Sequence, residues 1–300
     1  MKILGVDIGG TSIKLCIADE FGNIETFQEY DSEAKKGGPH LIHKVISIIE
    51  DYSGFEAIGI STAGQVNIQE GSIRYANENI PNYTGMQVKS IIENHFNLPV
   101  RIENDVNAAA LGENFFGNGR NFHHFICVTY GTGIGGAIVM NSDLYRGANG
   151  SAAEFGHIMT HPRGKRCNCG LQGCYEMYGS TTALVQEARK VYPDLLDGRA
   201  IFHLYHKGNE SLQLVVHNWI EEVALGLTSL VHTFNPEAII LGGGVMEQDD
   251  LVTMLANRVK DNIMESFSNI AIIKAGLGNK AGVLGAISLH TQKNIGRSFL

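Results

Sequence analysis

The chain has 300 residues, 44% of them hydrophobic and 18% charged, with a formal net charge of −8 at neutral pH. That length carries two ordinary domains with separate cores, and an acidic chain with no offsetting basic stripe excludes nucleic acid as a partner. No run of about eighteen apolar residues occurs, so no membrane span is expected.

The first residues, MKILGVDIGG, enter a strand and a glycine turn directly and lack the apolar core of a secretory signal. With cysteines at strand positions (Cys16, Cys127), the expected compartment is a reducing cytoplasm. Over 3–24 the pattern reads apolar strand, Gly/Thr turn, second apolar strand, polar turn. Its tip places Asp7 where a carboxylate can hold Mg2+ through water. Gly9, Gly10 and Thr11 are expected to expose amide N–H groups, since only glycine lets a phosphate come that close. Lys14, just beyond, is counted with this nucleotide site.

Helical spacing of apolar residues predicts a helix over 39–52, followed by a strand over 55–64 that ends at Gly64. After a loop rich in Asn, Pro and Gly come a helix near 85–96 and a short strand at 99–103. Asn104-Asp105 then opens an Ala-rich helix. By position the pair reads first as a helix cap, but capping and function are compatible. A carboxylate at a helix N-terminus is held rigidly and is expected to stay ionised there. Asp105 can then take the proton of a substrate hydroxyl as that hydroxyl attacks a phosphorus.

After GNGRN at 117–121, the boundary between halves, the opening pattern returns over 125–145 with the tip Gly131-Thr132-Gly133. A single glycine-rich hairpin is as often a plain turn as a ligand site. Two matched ones, with a later strand ending in Gly242-Gly243-Gly244, read as opposed phosphate clamps and a flat seat for adenosine. Neither Gly-Lys-Ser/Thr nor a dinucleotide-binding GxGxxG with its acidic partner is present. Two similar α/β halves facing each other are therefore expected.

Three of the five cysteines lie in CNCGLQGC at 167–174, ten residues after His157. Tetrahedral Zn2+ accepts three thiolates and an imidazole, so His157, Cys167, Cys169 and Cys174 are read as a closed structural zinc site. Glu154, His157 and Glu176 ring this loop with hydrogen-bonding groups suited to a polyhydroxylated sugar ring. Alone, each acid is more often solvated surface; a rigid metal loop shifts the balance toward binding. A long helix over 215–234, a strand at AIILGGG, a helix near 249–265 and a helical tail complete the pattern. The expected domains are 1–118, with a C-terminal helix at about 283–300 packing back on it, and 119–282, which carries the zinc loop.

Asp-Ile-Gly-Gly-Thr (7–11), Asn-Asp-Val-Asn-Ala-Ala-Ala (104–110), Gly-Thr-Gly-Ile-Gly-Gly (131–136), Glu-Phe-Gly-His (154–157) and the cysteine run through Glu176 follow one another here. In that order they resemble the ROK family of repressors, open reading frames and sugar kinases, over residues 3 to about 287. The resemblance implies two ribonuclease-H-like (actin-like ATPase) α/β domains with an interdomain cleft, and a homodimer. It also implies that Asp105 is the catalytic base, that Asn104, Glu154, His157 and Glu176 bind sugar, and that the substrates are ATP–Mg2+ and a sugar; Gly64 is counted with the sugar-binding residues. Repressors of this family carry a DNA-binding segment before the first hairpin, whereas the hairpin here begins at residue 3, so a kinase is expected. A sugar-sensing regulator is the alternative of another class.

The sugar is the finer question. The stretch Asn79-Ile80-Pro81-Asn82-Tyr83-Thr84-Gly85 resembles the β-glucoside kinase branch more than the Pro-Gly-Trp form usual in glucokinases. Ser61-Thr62-Ala63-Gly64 stands where many glucokinases have Ser-Pro-Gly. The expected order of acceptors is a β-glucoside such as cellobiose, then glucose, then N-acetylmannosamine, separated by one or two contacts worth about 1–3 kcal/mol each.

Overall fold

The computed structural model describes residues 1–195, 197–248 and 250–291. Two compact units emerge: Met1–Asn121 with Arg146–Ala152 and the chain from Asn279 on, and Phe122–Tyr145 with Ala153–Gly278.

In the first unit β1 (Lys2–Ile8), β2 (Ser12–Asp19) and β3 (Ile24–Asp31) form an antiparallel meander. Helix α1 (Gly38–Glu50) then leads to β4 (Ala57–Thr62), which pairs parallel to β1. A small ribbon of β5 (Gln65–Asn67) and β6 (Ser72–Tyr75) and helix α2 (Val88–Phe96) precede β7 (Val100–Asn104), parallel to β4. The sheet order is β3-β2-β1-β4-β7. β4 is buried along its whole length, Ser61 and Thr62 included, as befits a central strand paired parallel on both sides. Helix α3 (Asp105–Phe116) follows β7 with no intervening loop.

The second unit repeats the plan. β8 (Phe125–Tyr130), β9 (Ile134–Met140) and β10 (Asp143–Tyr145) form the meander. Asn141 and Ser142, both at positive φ, make the two-residue turn into β10, the conformation that suits the twist of a hairpin. After the cysteine loop come α4 (Glu176–Gly179), α5 (Thr181–Val191), α6 (Gly198–His206) and the long α7 (Glu210–Phe234). β11 (Ala238–Gly242), α8 (Leu251–Asn262) and β12 (Ala271–Lys274) complete it, with sheet order β10-β9-β8-β11-β12. The likeness of 3–24 and 125–145 is thus a duplicated sheet. By length and composition α7 passes for a membrane span, with mean hydropathy 1.2 over its most apolar stretch. Leu212, Val216, Trp219, Val223 and Leu227 on it are core residues of this unit.

The final helix α9 (Ala281–Ser288) belongs to the first unit and packs on β1, β4 and α3. Glycine permits that approach: a Cβ on Gly59 would stand 2.0 Å from Ala286 O, and one on Gly285 1.7 Å from Ala108 O. The helix expected to run to 300 ends at Ser288, and 292–300 lie outside the described residues. Its end is fastened by Arg101 Nη1, which donates to Leu289 O at 2.5 Å, and by His290 Nε2, 2.9 Å from Ile58 O.

The elements β3, β5, β6, β10, β12, α4, α5 and α6 have no counterpart in the sequence reading. The four residues of β12 and three of β5 are too few to display a period.

Candidate functional site

In the first unit the parallel strands β1, β4 and β7 all end at one edge of the sheet, the edge where α/β sheets bind ligands. Register sets Asp7 beside Ser61 and Thr62 beside Asn104. Asp7 accepts from Ser61 Oγ at 2.6 Å, and Lys14 Nζ lies 3.8 Å from its other oxygen. Burial pushes the Asp7 carboxyl up, against the opposing pull of Ser61 and Lys14. Gly282, at the start of α9, leaves room for that carboxylate: a Cβ there would stand 2.7 Å from Asp7 Cγ.

Asn104 caps α3, its Oδ1 accepting from Val106 N at 3.0 Å and Asn107 N at 3.1 Å. Its Nδ2 donates to Gly64 O at 2.9 Å and to Asp105 Oδ1 at 2.8 Å. All four hydrogen-bonding positions of the amide are filled, so Asn104 holds Asp105 in place and reaches a sugar only by exchanging one of these bonds. Asp105 departs from the sequence expectation in its charge. Its carboxyl is pushed up to about 7 by burial and then by the nearby Asp7, and the hydrogen bonds from Val106 N and Asn104 only partly offset this. Desolvation outweighs the helix-end dipole.

Beneath this pair lies Glu103, which gave no sequence signal beyond being an acid in an apolar strand. Its Oε1 accepts from Asn104 N at 3.0 Å and Asn107 Nδ2 at 3.1 Å, and its Oε2 accepts from Arg146. Gly64, at φ 95°, abuts Tyr75 O and Ala76. The segment that includes Tyr75 and Ala76 therefore lies beside Gly64, whose carbonyl accepts from Asn104. Tyr83 anchors it from below, its hydroxyl 2.8 Å from Thr62 Oγ1.

The two glycine tips differ from expectation in detail. Gly9 N donates to Ser12 O at 2.9 Å and Gly131 N to Gly133 O at 3.0 Å, so these amides close their own turns and are not free for phosphate. Thr11 and Thr132 are exposed at the tips. At Gly10 and Gly131 a Cβ would meet nothing within 4 Å, and neither residue has positive φ. Neither packing nor backbone conformation requires glycine there, which leaves the space above both for a ligand. In the triplet after β11, Gly242 is half-buried beside Thr129 and Gly243 is needed for packing, its absent Cβ 2.1 Å from Tyr130 O. Gly244 alone faces open space.

In the second unit His157, Cys167, Cys169 and Cys174 converge, their ligand atoms all within 4.8 Å of one another. Gly173 makes the curl possible: at φ 80° its absent Cβ would stand 1.8 Å from His161 O. Cys167 N donates to Leu171 O and Gly170 N to Cys167 O, closing the knuckle. Three soft sulfurs and one imidazole suit a tetrahedral metal. Glu154 and His157 sit one 3-10 turn apart, with Glu154 exposed. Glu176 opens α4 with Oε1 3.1 Å from Cys167 Sγ and 3.8 Å from His157 Nδ1. Behind it Tyr175 is fully enclosed, its hydroxyl 2.8 Å from Tyr130 OH and donating to Val223 O at 2.7 Å. The loop that carries Glu176 is thereby tied to the strand that carries Gly131.

A model of the ROK family matches residues 3–293. The chain belongs to the ROK family. Among its ROK relatives, a glucokinase of Streptomyces coelicolor is 36% identical, covering 96% of this chain and 97% of its own. A beta-glucoside kinase of Listeria monocytogenes is 31% identical, over 98% of both chains. A xylose repressor of Bacillus spizizenii is 30% identical over 95% of this chain and 76% of its own. The crystal structure of a ROK family glucokinase from Streptomyces griseus, in complex with glucose and AMPPNP, superposes with a TM-score of 0.86 at 31% identity, covering 96% of this chain and 99% of that one. The ROK fold is that of actin-like ATPases, which accounts for the duplicated sheet order.

Proposed function

We propose that this chain is an ATP-dependent kinase that phosphorylates the 6-hydroxyl of a glucose-configured sugar. The observation that carries the reading is Asp105, a carboxyl fixed by Asn104 at a helix N-terminus and poised near neutral pH. A general base is most effective when its pKa lies near the working pH. Asp105 would accept the proton of the sugar hydroxyl as its oxygen attacks the γ-phosphorus, a late transfer in a loose transition state.

Gly10, Thr11 and Thr132 would receive the phosphates, the open space over Gly131 would let them come close, and Gly244 would take the adenosine end of the nucleotide. Asp7 and Lys14 would hold Mg2+ and phosphate charge, the metal supplying charge neutralisation. Glu154, His157 and Glu176 would bind the ring hydroxyls. Bound Zn2+ at His157, Cys167, Cys169 and Cys174 would stiffen the loop and fix the His157 tautomer.

The favoured acceptor is a β-glucoside such as cellobiose. In support, the exposed Tyr75 adjoins Gly64, whose carbonyl accepts from Asn104, and the loop that follows through Asn77 and Asn79 carries no tryptophan. Free glucose is the second reading, favoured by the 36% identity to a glucokinase. ADP release measured with cellobiose, glucose and N-acetylmannosamine tests both: turnover with cellobiose above glucose is expected, and the reverse order selects the second. Sugar binding without ADP release from any of the three would overturn the kinase reading in favour of a regulator, the role of the xylose repressor relative.

A further inference from the structure

We propose that Gly133 is a positioning residue of the sugar site, the floor that sets where the Glu176 carboxylate stands, and not a phosphate ligand. This rests on the reading of Glu176 as a sugar ligand. A Cβ on Gly133 would lie 2.5 Å from Glu176 Oε2 and 3.6 Å from its Cδ, with nothing else within 4 Å. Gly133 does not have positive φ, so its backbone does not require glycine. Among the described residues, the only thing its missing side chain makes room for is that carboxylate. Gly131, two residues earlier on the same turn, meets nothing.

The carboxylate is confined on its other sides as well. A Cβ on Gly156 would stand 3.3 Å from Oε2, and Cys167 Sγ lies 3.1 Å from Oε1. Gly156 itself is pressed on Ile134 O, 2.4 Å from its absent Cβ, so it serves the backbone as well. A methyl group at Gly133 meets only the far end of one flexible side chain. The least costly response is for Glu176 to swing out of its slot while the fold stays as it is. One turn of the hairpin thus serves two substrates: its exposed Gly131 faces the nucleotide, and its half-buried Gly133 aims the sugar ligand.

Calorimetric titration of Gly133→Ala with glucose and cellobiose, and separately with a non-hydrolysable ATP analogue, tests this. Sugar Kd is expected to rise by about ten-fold or more, with nucleotide Kd within about two-fold of wild type. Gly131→Ala is expected to show the opposite split. In the Glu176→Asp background, where the carboxylate is drawn back by one methylene, the added methyl has room, and the effect of Gly133→Ala on sugar Kd should shrink to less than about two-fold. Weakened nucleotide binding with unchanged sugar binding would return Gly133 to the phosphate site and overturn the proposal. So would an equal sugar penalty in both backgrounds, or loss of folding in Gly133→Ala. Because binding is read without turnover, a wild-type chain that binds sugar and releases no ADP sinks the kinase reading alone.

Discussion

Arg146 closes on Glu103, its Nη2 and Nε 2.8 and 3.1 Å from Glu103 Oε2, with the carboxylate side chain only 2% exposed. The same carboxylate receives Asn104 N and Asn107 Nδ2 on its other oxygen. One buried acid therefore fixes the end of β7, the cap of α3 and the segment 146–152 together. Arg146→Ala leaves that acid without its cation. Breaking a buried pair costs about 3–5 kcal/mol, and about 2–3 kcal/mol is expected here because Arg146 is itself 24% exposed. Urea unfolding checks this; a midpoint equal to that of wild type would show the pair to be dispensable.

If Asp105 is the base proposed above, the pH dependence of kcat/KM will report its carboxyl in the free protein. With its pKa pushed up to about 7, activity should climb on an acid limb centred near neutrality and level off above it. Asp105→Asn should keep sugar binding, lower turnover by about 10²–10⁴ and abolish the limb. A variant with near-normal turnover would remove Asp105 from the chemistry.

The same shift has a consequence for stability with the opposite pH trend. A carboxyl whose folded pKa is raised favours the fold in its protonated form. That contribution is complete below the unfolded value of 3.8 and is lost as the pH passes upward through about 7. Asp105→Asn stays neutral and can still accept from Asn104 and Val106. Its melting temperature should exceed that of wild type at pH 8, with the gap closing toward pH 4. A gap of constant size across that range would show that burial of the charge is not the cause.

Metal content is the direct check on the cysteine knuckle. Purified chain should carry about one equivalent of zinc, the load of a closed three-sulfur, one-imidazole site. Cys167→Ser should lose it, melt at lower temperature and bind sugar more weakly, since Glu176 Oε1 rests against Cys167 Sγ. The single tryptophan, Trp219, offers an optical reading. Its indole donates to Gly179 O and Ser180 O at the end of the helix that Glu176 begins. Folded chain with well under one equivalent of zinc would refute the site.

At the first hairpin tip Gly10 has open space above it and no positive φ. Gly10→Val should therefore leave the melting temperature within about 1 °C, as for a surface change. It should weaken ATP binding by about ten-fold or more through the clash with phosphate. Unchanged nucleotide affinity would show that no phosphate lies over this turn.

Residue order alone displayed the duplicated strand–turn–strand, the cap at Asn104-Asp105 and the convergence of His157 with the three cysteines, because each is written in neighbours or in short fixed spacings. A hairpin needs only its two strands and its turn; a thiolate knuckle needs glycines between its sulfurs. What depended on distant segments meeting was hidden. Glu103 and Arg146 are 43 positions apart, and Ser61 reaches Asp7 across 54. The carboxylate against Gly133 arrives from beyond the cysteine loop. The raised pKa of Asp105 was hidden for the same reason: helix capping is local, whereas desolvation depends on everything packed around the carboxyl, including Asp7 on another strand. Local hydrogen bonding and turn geometry are set by a few adjacent residues, while burial, ion pairing and the room left by a missing side chain are properties of the packed chain.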